Sequence, residues 1–356
     1  MDKNNSIYFI AETAFHHEGD VEFLMNLVKD ISCLEINAVK FHLLFDLEDY
    51  IIKNHPAEEV LRKISIPEQS WFQVFDYMKE TGKKIVLLCN DLKSLKFVNS
   101  IQNQYPIDAV ELHSTGLNDI FLLEEAANFK KDIILGVGGS TFDEVKFAVD
   151  FLKAQKQNNI VLMHGFQSYP TNYNDINFKR IEMLSNAFGL PIGYADHTDP
   201  KDSNNEVISV LPVMNGVKIL EKHVTNKFSE QRIDAQAAVS IETMGNIIRL
   251  ANTLNQSLGS DNLNFSEAEL NYGNTGPMKK ALVARKPIKK GEIITKEDIA
   301  FKRTTASSPL LQKDIYKILG NIALEDIAQD TLLTNMNVEY AFKKQNFDQF
   351  FVSDKN

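Results

Sequence analysis

Ile7-Tyr-Phe-Ile-Ala-Glu12 is a short apolar run that ends in a carboxylate and is followed at once by His16 and His17. The same form recurs along the chain. Ala38-Val-Lys-Phe41 leads into His42, while Ala109-Val-Glu-Leu-His113, Ile160-Val-Leu-Met-His164 and Val217-Lys-Ile-Leu-Glu-Lys-His223 each end in histidine. His197 lies in Ile192-Gly-Tyr-Ala-Asp-His-Thr198, and of the 8 histidines only His55 stands apart from such a run. Short apolar runs of this kind read as buried strands, and they predict strands near 7–12, 38–41, 85–89, 109–113, 133–137, 160–164, 192–195 and 217–222. The intervening segments have helical spacing. Val21, Leu24, Leu27, Val28 and Ile31 share one helix face, and Pro67 opens a helix that buries Trp71, Phe72 and Phe75. Thr141-Phe-Asp-Glu144 has the spacing of a capping box ahead of Val145, Ala148, Val149 and Leu152. Helices also fit 117–129, 175–187, 205–213 and 243–257.

Strands that alternate with helices pair in parallel through right-handed crossovers. Eight such units predict an α/β protein whose residues 1–258 form a (β/α)8 TIM barrel. A doubly wound sheet is the alternative, but no Gly-x-Gly-x-x-Gly turn follows the first strand. In a barrel the strand ends share one mouth, where active sites are built, and histidine is suited to binding metals and moving protons there. The pattern breaks at 259–278, where Asn271-Tyr-Gly-Asn-Thr-Gly-Pro277 reads as linker. A small β-rich domain is expected over 279–340, with Thr295-Lys-Glu-Asp298 as a turn or short helix start. The tail 341–356 is polar but carries Phe342, Phe347, Phe350 and Phe351, which suit a docking helix.

The chain has 356 residues, 44% hydrophobic and 24% charged, the balance of a soluble globular protein. A net charge of −10 argues against a nucleic-acid or anionic-membrane surface. No stretch approaches the ~20 apolar residues of a membrane helix. Cys33 and Cys89 each end or interrupt an apolar stretch and fit reduced, buried thiols in a cytoplasmic protein.

Several of these runs together resemble the sialic acid synthase family. The likeness is carried by Ile10-Ala-Glu12 with Gly19-Asp20, Ala38-Val-Lys-Phe41, Val161-Leu-Met-His164, Tyr169-Pro170, Asp196-His-Thr198 and Glu221-Lys-His223. It continues through Leu282-Val-Ala284, Ile288-Lys-Lys-Gly-Glu292, Ile294-Thr295 and Lys302-Arg303. The resemblance implies a barrel followed by an antifreeze-protein-like (SAF) domain, arranged as a domain-swapped homodimer. It implies condensation of phosphoenolpyruvate with an N-acyl amino-sugar to a 2-keto-3-deoxy nonulosonic acid. It also implies a divalent metal at His197 and His223, commonly manganese, with iron, zinc, cobalt or magnesium also compatible with such donors. Glu12 matches a carboxylate beside the reacting carbons, able to act as acid or base if burial raises its pKa. Lys40 matches a lysine that binds the donor anion, though it could equally compensate Glu12. Asp234 matches a carboxylate that holds sugar hydroxyls, and Arg303 matches an arginine that reaches the partner subunit's active site. Tyr169, Tyr173 and Tyr194 fall in segments of the same mouth, where they could contact a sugar or serve as packing.

The chain departs from the family in its anion pocket. Glu111 stands where a second phosphate-binding lysine is expected, and Leu88, Gly136 and Ala195 replace hydroxyl-bearing residues. Ser114 and Lys40 remain. His42 replaces a sugar-binding glutamine and His113 a small residue. Two unit charges ~4 Å apart interact by about 4 kcal/mol at an effective dielectric near 20, so a Lys-to-Glu change turns attraction into comparable repulsion. Glu111 and His113 are two residues apart and would share one strand face. They either join Glu12, His197 and His223 in a ligand-rich site, or Glu111 pairs with Lys40. The loop Gly136-Val-Gly-Gly-Ser140 before a helix could still hold an anion through backbone N–H groups. Three functions follow from these features: a sialic-acid-type synthase, a metal aldolase, lyase or isomerase with a less anionic substrate, and a non-catalytic sugar-binding protein.

Overall fold

A computed structural model describes residues 6–166, 168–259, 261–273 and 279–340. It divides into two compact units, residues 1–259 and 260–356. In the first unit eight parallel strands follow one another in chain order. They are β1 (Tyr8–Glu12), β2 (Ala38–Leu43), β3 (Lys84–Cys89), β4 (Ile107–Leu112), β5 (Asp132–Gly136), β6 (Ile160–His164), β7 (Ile192–Asp196) and β8 (Ile219–Thr225). β8 pairs in parallel with β1, from Tyr8 opposite Ile219 to Glu12 opposite His223, so the sheet closes into a barrel. A short β9 (Val239–Ser240) pairs in parallel with the C-terminal end of β8.

Alternation along each strand divides the buried residues into two layers. Tyr8, Ile10, Ala38, Val86, Ala109, Ile134, Val161, Met163, Ala195 and Ile219 form an apolar plug inside the barrel. The intervening residues, including Phe9, Val39, Phe41, Leu87, Val110, Leu135, Leu162, Tyr194 and Leu220, pack outward against the helices. The helix Val21–Ser32 buries four of the five apolar residues expected of it, with Phe23 buried and Val21 only half-buried, and Asp20 caps it by accepting from Phe23 N–H at 3.0 Å. Cys33 at its C-terminal cap is exposed and not buried as expected. Glu68–Thr81 begins directly after Pro67 and buries Trp71, Val74, Phe75 and Met78, with Phe72 half-buried against the core. The expected capping box is present at Thr141 and Glu144.

Four helical segments differ from expectation. The 117–129 helix contracts to Ile120–Ala126 behind a 3-10 turn at Ser114–Gly116. The 175–187 helix divides at Asn177, whose left-handed backbone (φ 53°) separates Tyr173–Ile176 from Lys179–Phe188. Pro212 cannot supply the N–H that an α-turn needs, and the helix from Asn205 becomes 3-10 over Leu211–Asn215. Glu267–Gly273 is helical within the stretch read as linker, opened by reciprocal hydrogen bonds between Ser266 and Glu269.

The second unit pairs β10 (Ala281–Ala284) with β11 (Ile299–Lys302) in antiparallel fashion. Leu282, Ala284, Ile288, Ile294, Ile299, Leu310, Ile318, Ala323, Ile327, Leu333 and Val338 form its own core. Thr295 and Asp298 make the short capped turn expected there. The Phe-containing tail from residue 341 lies outside the described residues. No helix among the described residues is long and apolar enough to cross a membrane.

Candidate active site

The inward rows that build the plug turn polar at the C-terminal end of the barrel. Above Tyr8 and Ile10 the next inward residue of β1 is Glu12. On β2 the row continues Ala38, Lys40, His42; on β4, Ala109, Glu111; on β8, Ile219, Glu221, His223. Alternation thus aims four strands' ionisable residues into one volume. Lys40 Nζ lies 2.7 Å from Glu111 Oε2, 2.9 Å from Glu221 Oε1 and 3.4 Å from Glu12 Oε1, with all of these side chains buried. Burial opposes charge on Lys40, but Glu111, Glu12 and Glu221 outweigh it and hold the ammonium pKa well above the ordinary lysine range.

The two flanking glutamates diverge. Burial, with Glu12 and Glu111 close by, pushes the Glu221 carboxyl well above the usual range despite Lys40. Burial also opposes charge on Glu12, yet His223 and Lys40 outweigh it and hold that carboxyl well below the usual range. The expectation that burial would raise Glu12 is therefore corrected: Glu221 is the carboxyl disposed to keep a proton.

On the other side of Glu12 the partners are imidazoles. His42 Nε2 is 2.5 Å from Glu12 Oε1. Glu12 Oε2 and His223 Nε2 face each other at 3.1 Å as a buried pair, and neither atom has another hydrogen-bond partner. Both ring nitrogens of His197 are buried and unpartnered as well. The His197 and His223 rings stand 5.0 Å apart, and Tyr169 presents its edge to them at 5.8 Å and 6.2 Å. One ligand atom each from Glu12, His197 and His223 lies within 4.8 Å of the other two. An unsatisfied buried polar atom costs about 1–3 kcal/mol, so several of them facing one another mark a place built for a ligand. Burial and the neighbouring His223 push the His197 pKa down to about 3, leaving a neutral imidazole with a free lone pair. Two nitrogens and a carboxylate oxygen suit a divalent transition ion, and these residues fit the metal that the resemblance implies.

Other expected site residues are placed differently. Tyr194 alternates to the outer face of β7, where its hydroxyl donates to Asp196 at 2.9 Å, so it belongs to packing and not to the mouth. β4 ends at Leu112, so the alternation that would put His113 beside Glu111 stops there. His113 instead caps the 3-10 turn, accepting from Thr115 N–H at 3.3 Å. Glu111 does point inward, but to Lys40. Ser114 is half-buried in that 3-10 turn, and its amide nitrogen would lie 3.3 Å from a Cβ placed on Gly136. Leu88 and Ala195 are buried in the barrel wall and bring no donor. Tyr173 reaches outward to the Asp202 side chain, half exposed. The helix after Gly136-Val-Gly-Gly-Ser140 opens with a capping box in which Glu144 Oε2 accepts from Thr141 N–H at 2.7 Å. Asp234 Oδ2 accepts from Phe15 N–H at 3.3 Å and ties the loop after β8 to the loop after β1. His16 reinforces that tie through Ile233 O and Thr225 Oγ1. Arg303 follows β11 in the second unit.

Glu221, quoted above only as part of a motif, carries a role that sequence reading missed. Its inward position two residues before His223 was the available signal.

An eight-stranded parallel barrel with a buried carboxylate–imidazole mouth, joined to a small β-rich unit, defines a class of barrel enzyme scaffold. Sequence comparison narrows it. The NeuB family profile matches residues 44–262 and that of the SAF domain residues 279–339, and the chain belongs to the NeuB family. An uncharacterized protein of Methanocaldococcus jannaschii is 28% identical, across 85% of this chain and 86% of its own. The N,N'-diacetyllegionaminic acid synthase of Legionella pneumophila is 25% identical, across 93% and 94%. Among solved structures, a putative spore coat polysaccharide biosynthesis protein E from Chromobacterium violaceum superimposes with a TM-score of 0.77 at 21% identity, covering 94% of this chain and all of that one.

Proposed function

We propose that the chain is a divalent-metal-dependent synthase that joins phosphoenolpyruvate to the aldehyde of an N-acyl amino-sugar, giving a 2-keto-3-deoxy nonulosonic acid. The observation that carries this is the convergence of unpartnered atoms from Glu12, His197 and His223. These three residues would hold the ion, which supplies Lewis-acid polarisation of the sugar carbonyl. Carbon 3 of the donor bonds to the aldehyde carbon, a proton goes to the aldehyde oxygen, water adds at carbon 2, and phosphate leaves. Glu221 is the proton holder of the cluster and Glu12 its ionised partner. Lys40 and Ser114 face the donor carboxylate and phosphate; Tyr169 and Asp234 border the sugar, with Arg303 its contact from a second subunit of a homodimer. A chain of this kind works in the cytoplasm. The test is phosphate release from phosphoenolpyruvate in the presence of manganese and a panel of N-acyl hexosamines. Release that needs both metal and sugar, with a matching 2-keto-3-deoxy acid by mass spectrometry, supports the assignment. No such acid from any sugar in the panel sinks it.

One observation favours a second function on the same scaffold. Lys40 is already engaged by three carboxylates, and Leu88, Gly136 and Ala195 add no anion donor. An aldolase, lyase or isomerase acting on a less anionic sugar or keto acid would need no more. Glu111→Lys separates the two: gained phosphoenolpyruvate turnover supports the synthase, and loss of a native aldol activity supports the alternative.

A further inference from the structure

A second buried ion pair lies directly behind the two histidines. Asp196 and Lys222 are register partners on β7 and β8, and both are buried. His197 directly follows the end of β7, and His223 is the next residue of β8. Alternation sends the charged pair to the outer face of the barrel and His223 to the inner face, where the His197 ring meets it at 5.0 Å. The Asp196 carboxylate accepts from Tyr194 Oη at 2.9 Å, Thr198 N–H at 3.2 Å, Thr198 Oγ1 at 2.9 Å, Ser209 Oγ at 2.7 Å and the Lys222 ammonium. Asn205 Nδ2 donates to Thr198 Oγ1 at 2.9 Å and closes the network against the helix Asn205–Val210.

Metal-bound histidines are ordinarily oriented by a hydrogen bond from the second ring nitrogen to a carboxylate or carbonyl. His197 has no such bond from either nitrogen. Its ring must take its direction from the backbone, which Thr171 N–H holds at His197 O (2.9 Å) on one side and the Asp196 network holds on the other. A buried ion pair is a poor choice for stability alone, since apolar residues of similar volume often serve as well or better.

We infer that Asp196 and Lys222 are positioning residues whose cross-strand pair fixes His197 and His223 at the spacing a divalent ion requires. This rests on the metal assignment proposed above. The test compares the wild type, His223→Ala and the double variant Asp196→Asn with Lys222→Met. In the double variant the asparagine oxygen keeps the bonds from Tyr194 Oη and Thr198 N–H, its amide N–H groups face the hydroxyls of Thr198 and Ser209, which then accept, and no lone charge stays buried, but the tether between the strands is gone. Manganese and cobalt affinities are measured by calorimetry, and the cobalt visible spectrum is recorded, at a temperature where circular dichroism shows every variant folded. The expected result is a double variant with a thermal midpoint near that of the wild type, a Kd raised about 10- to 100-fold and an altered cobalt spectrum. Wild-type affinity and spectrum in the double variant overturn the positioning role and leave the metal centre standing. If the wild type binds no more cobalt or manganese than His223→Ala, the metal centre itself falls, and this inference with it.

Discussion

The two sides of the barrel mouth handle charge in opposite ways. Toward β7 and β8, Glu12 Oε2 and His223 Nε2 have only each other, and both nitrogens of His197 are buried without a hydrogen-bond partner. Toward β2 and β4, the one buried cation, Lys40, is surrounded by Glu12, Glu111 and Glu221. The first side is short of a cation. The second has neutralised its own, and presents an anion with a lysine whose attraction is largely spent on neighbours. A pocket can therefore be rebuilt on one side while the candidate metal ligands on the other are left intact, because the two share only Glu12.

The largest effect should come from the side that lacks partners. His223→Ala is expected to lower kcat/KM about a thousandfold or more, the equivalent of several kcal/mol of electrophilic assistance. Steady-state kinetics across a manganese titration check it, and activity kept within tenfold would remove the ion from the reaction. Lys40→Met strikes the other side by leaving the neighbouring carboxylates without their cation. It should destabilise the barrel by about 3–5 kcal/mol in urea unfolding, and adding Glu111→Gln should recover part of that. A double variant no more stable than the single one would show that Glu111 does not lean on Lys40. Glu111→Gln alone returns attraction to Lys40, and the KM for phosphoenolpyruvate should fall by about tenfold, well inside the Coulombic limit for such a pair. An unchanged KM places the donor away from Lys40.

The smallest effect lies beside the contrast rather than within it. Burial pushes the His17 pKa down from 6.5 to about 3. Between those values the unfolded chain takes up a proton that the folded chain refuses, so stability falls as pH drops through that window. The slope from this residue is about 1.4 kcal/mol per pH unit. His17→Asn, whose side chain can still accept from Gly19 N–H, should flatten the slope by that amount between pH 6 and 4. An unaltered slope assigns the acid sensitivity elsewhere, with His197 the first candidate.

The strands were legible because each is a short apolar run ending in a polar residue, and the capped helix at Thr141 because its two capping residues are adjacent in sequence. Alternation put Glu111 and His113 on one face, which fails at His113 because β4 ends at Leu112, and it left open whether Glu111 meets the histidines or Lys40. The approach of Glu111 and Glu221 to one ammonium depends on barrel closure, which brings β2, β4 and β8 around a common axis. For the same reason Tyr194 looked like a mouth residue until β7 placed it, with Asp196, on the outer face. The short helices Leu47–Tyr50 and Glu58–Ile64 escaped notice because they bury almost nothing. Leu92–Ile101, by contrast, carries an apolar face at helical spacing in Leu95, Val98 and Ile101, with Phe97 buried beside it.

Closure also has a temporal side. Of the eight barrel strands, Glu12 lies on the one synthesised first, and its register partner His223 lies on the one synthesised last. A nascent chain stopped before β8 has an open sheet edge on both β1 and β7 and lacks one of the three candidate ligands. An ion that needs all three cannot nucleate such a chain. It can act only on the finished barrel, where binding adds RT ln(1 + [L]/Kd) to the stability, so metal supply would govern how long the completed molecule lasts rather than how it begins to fold.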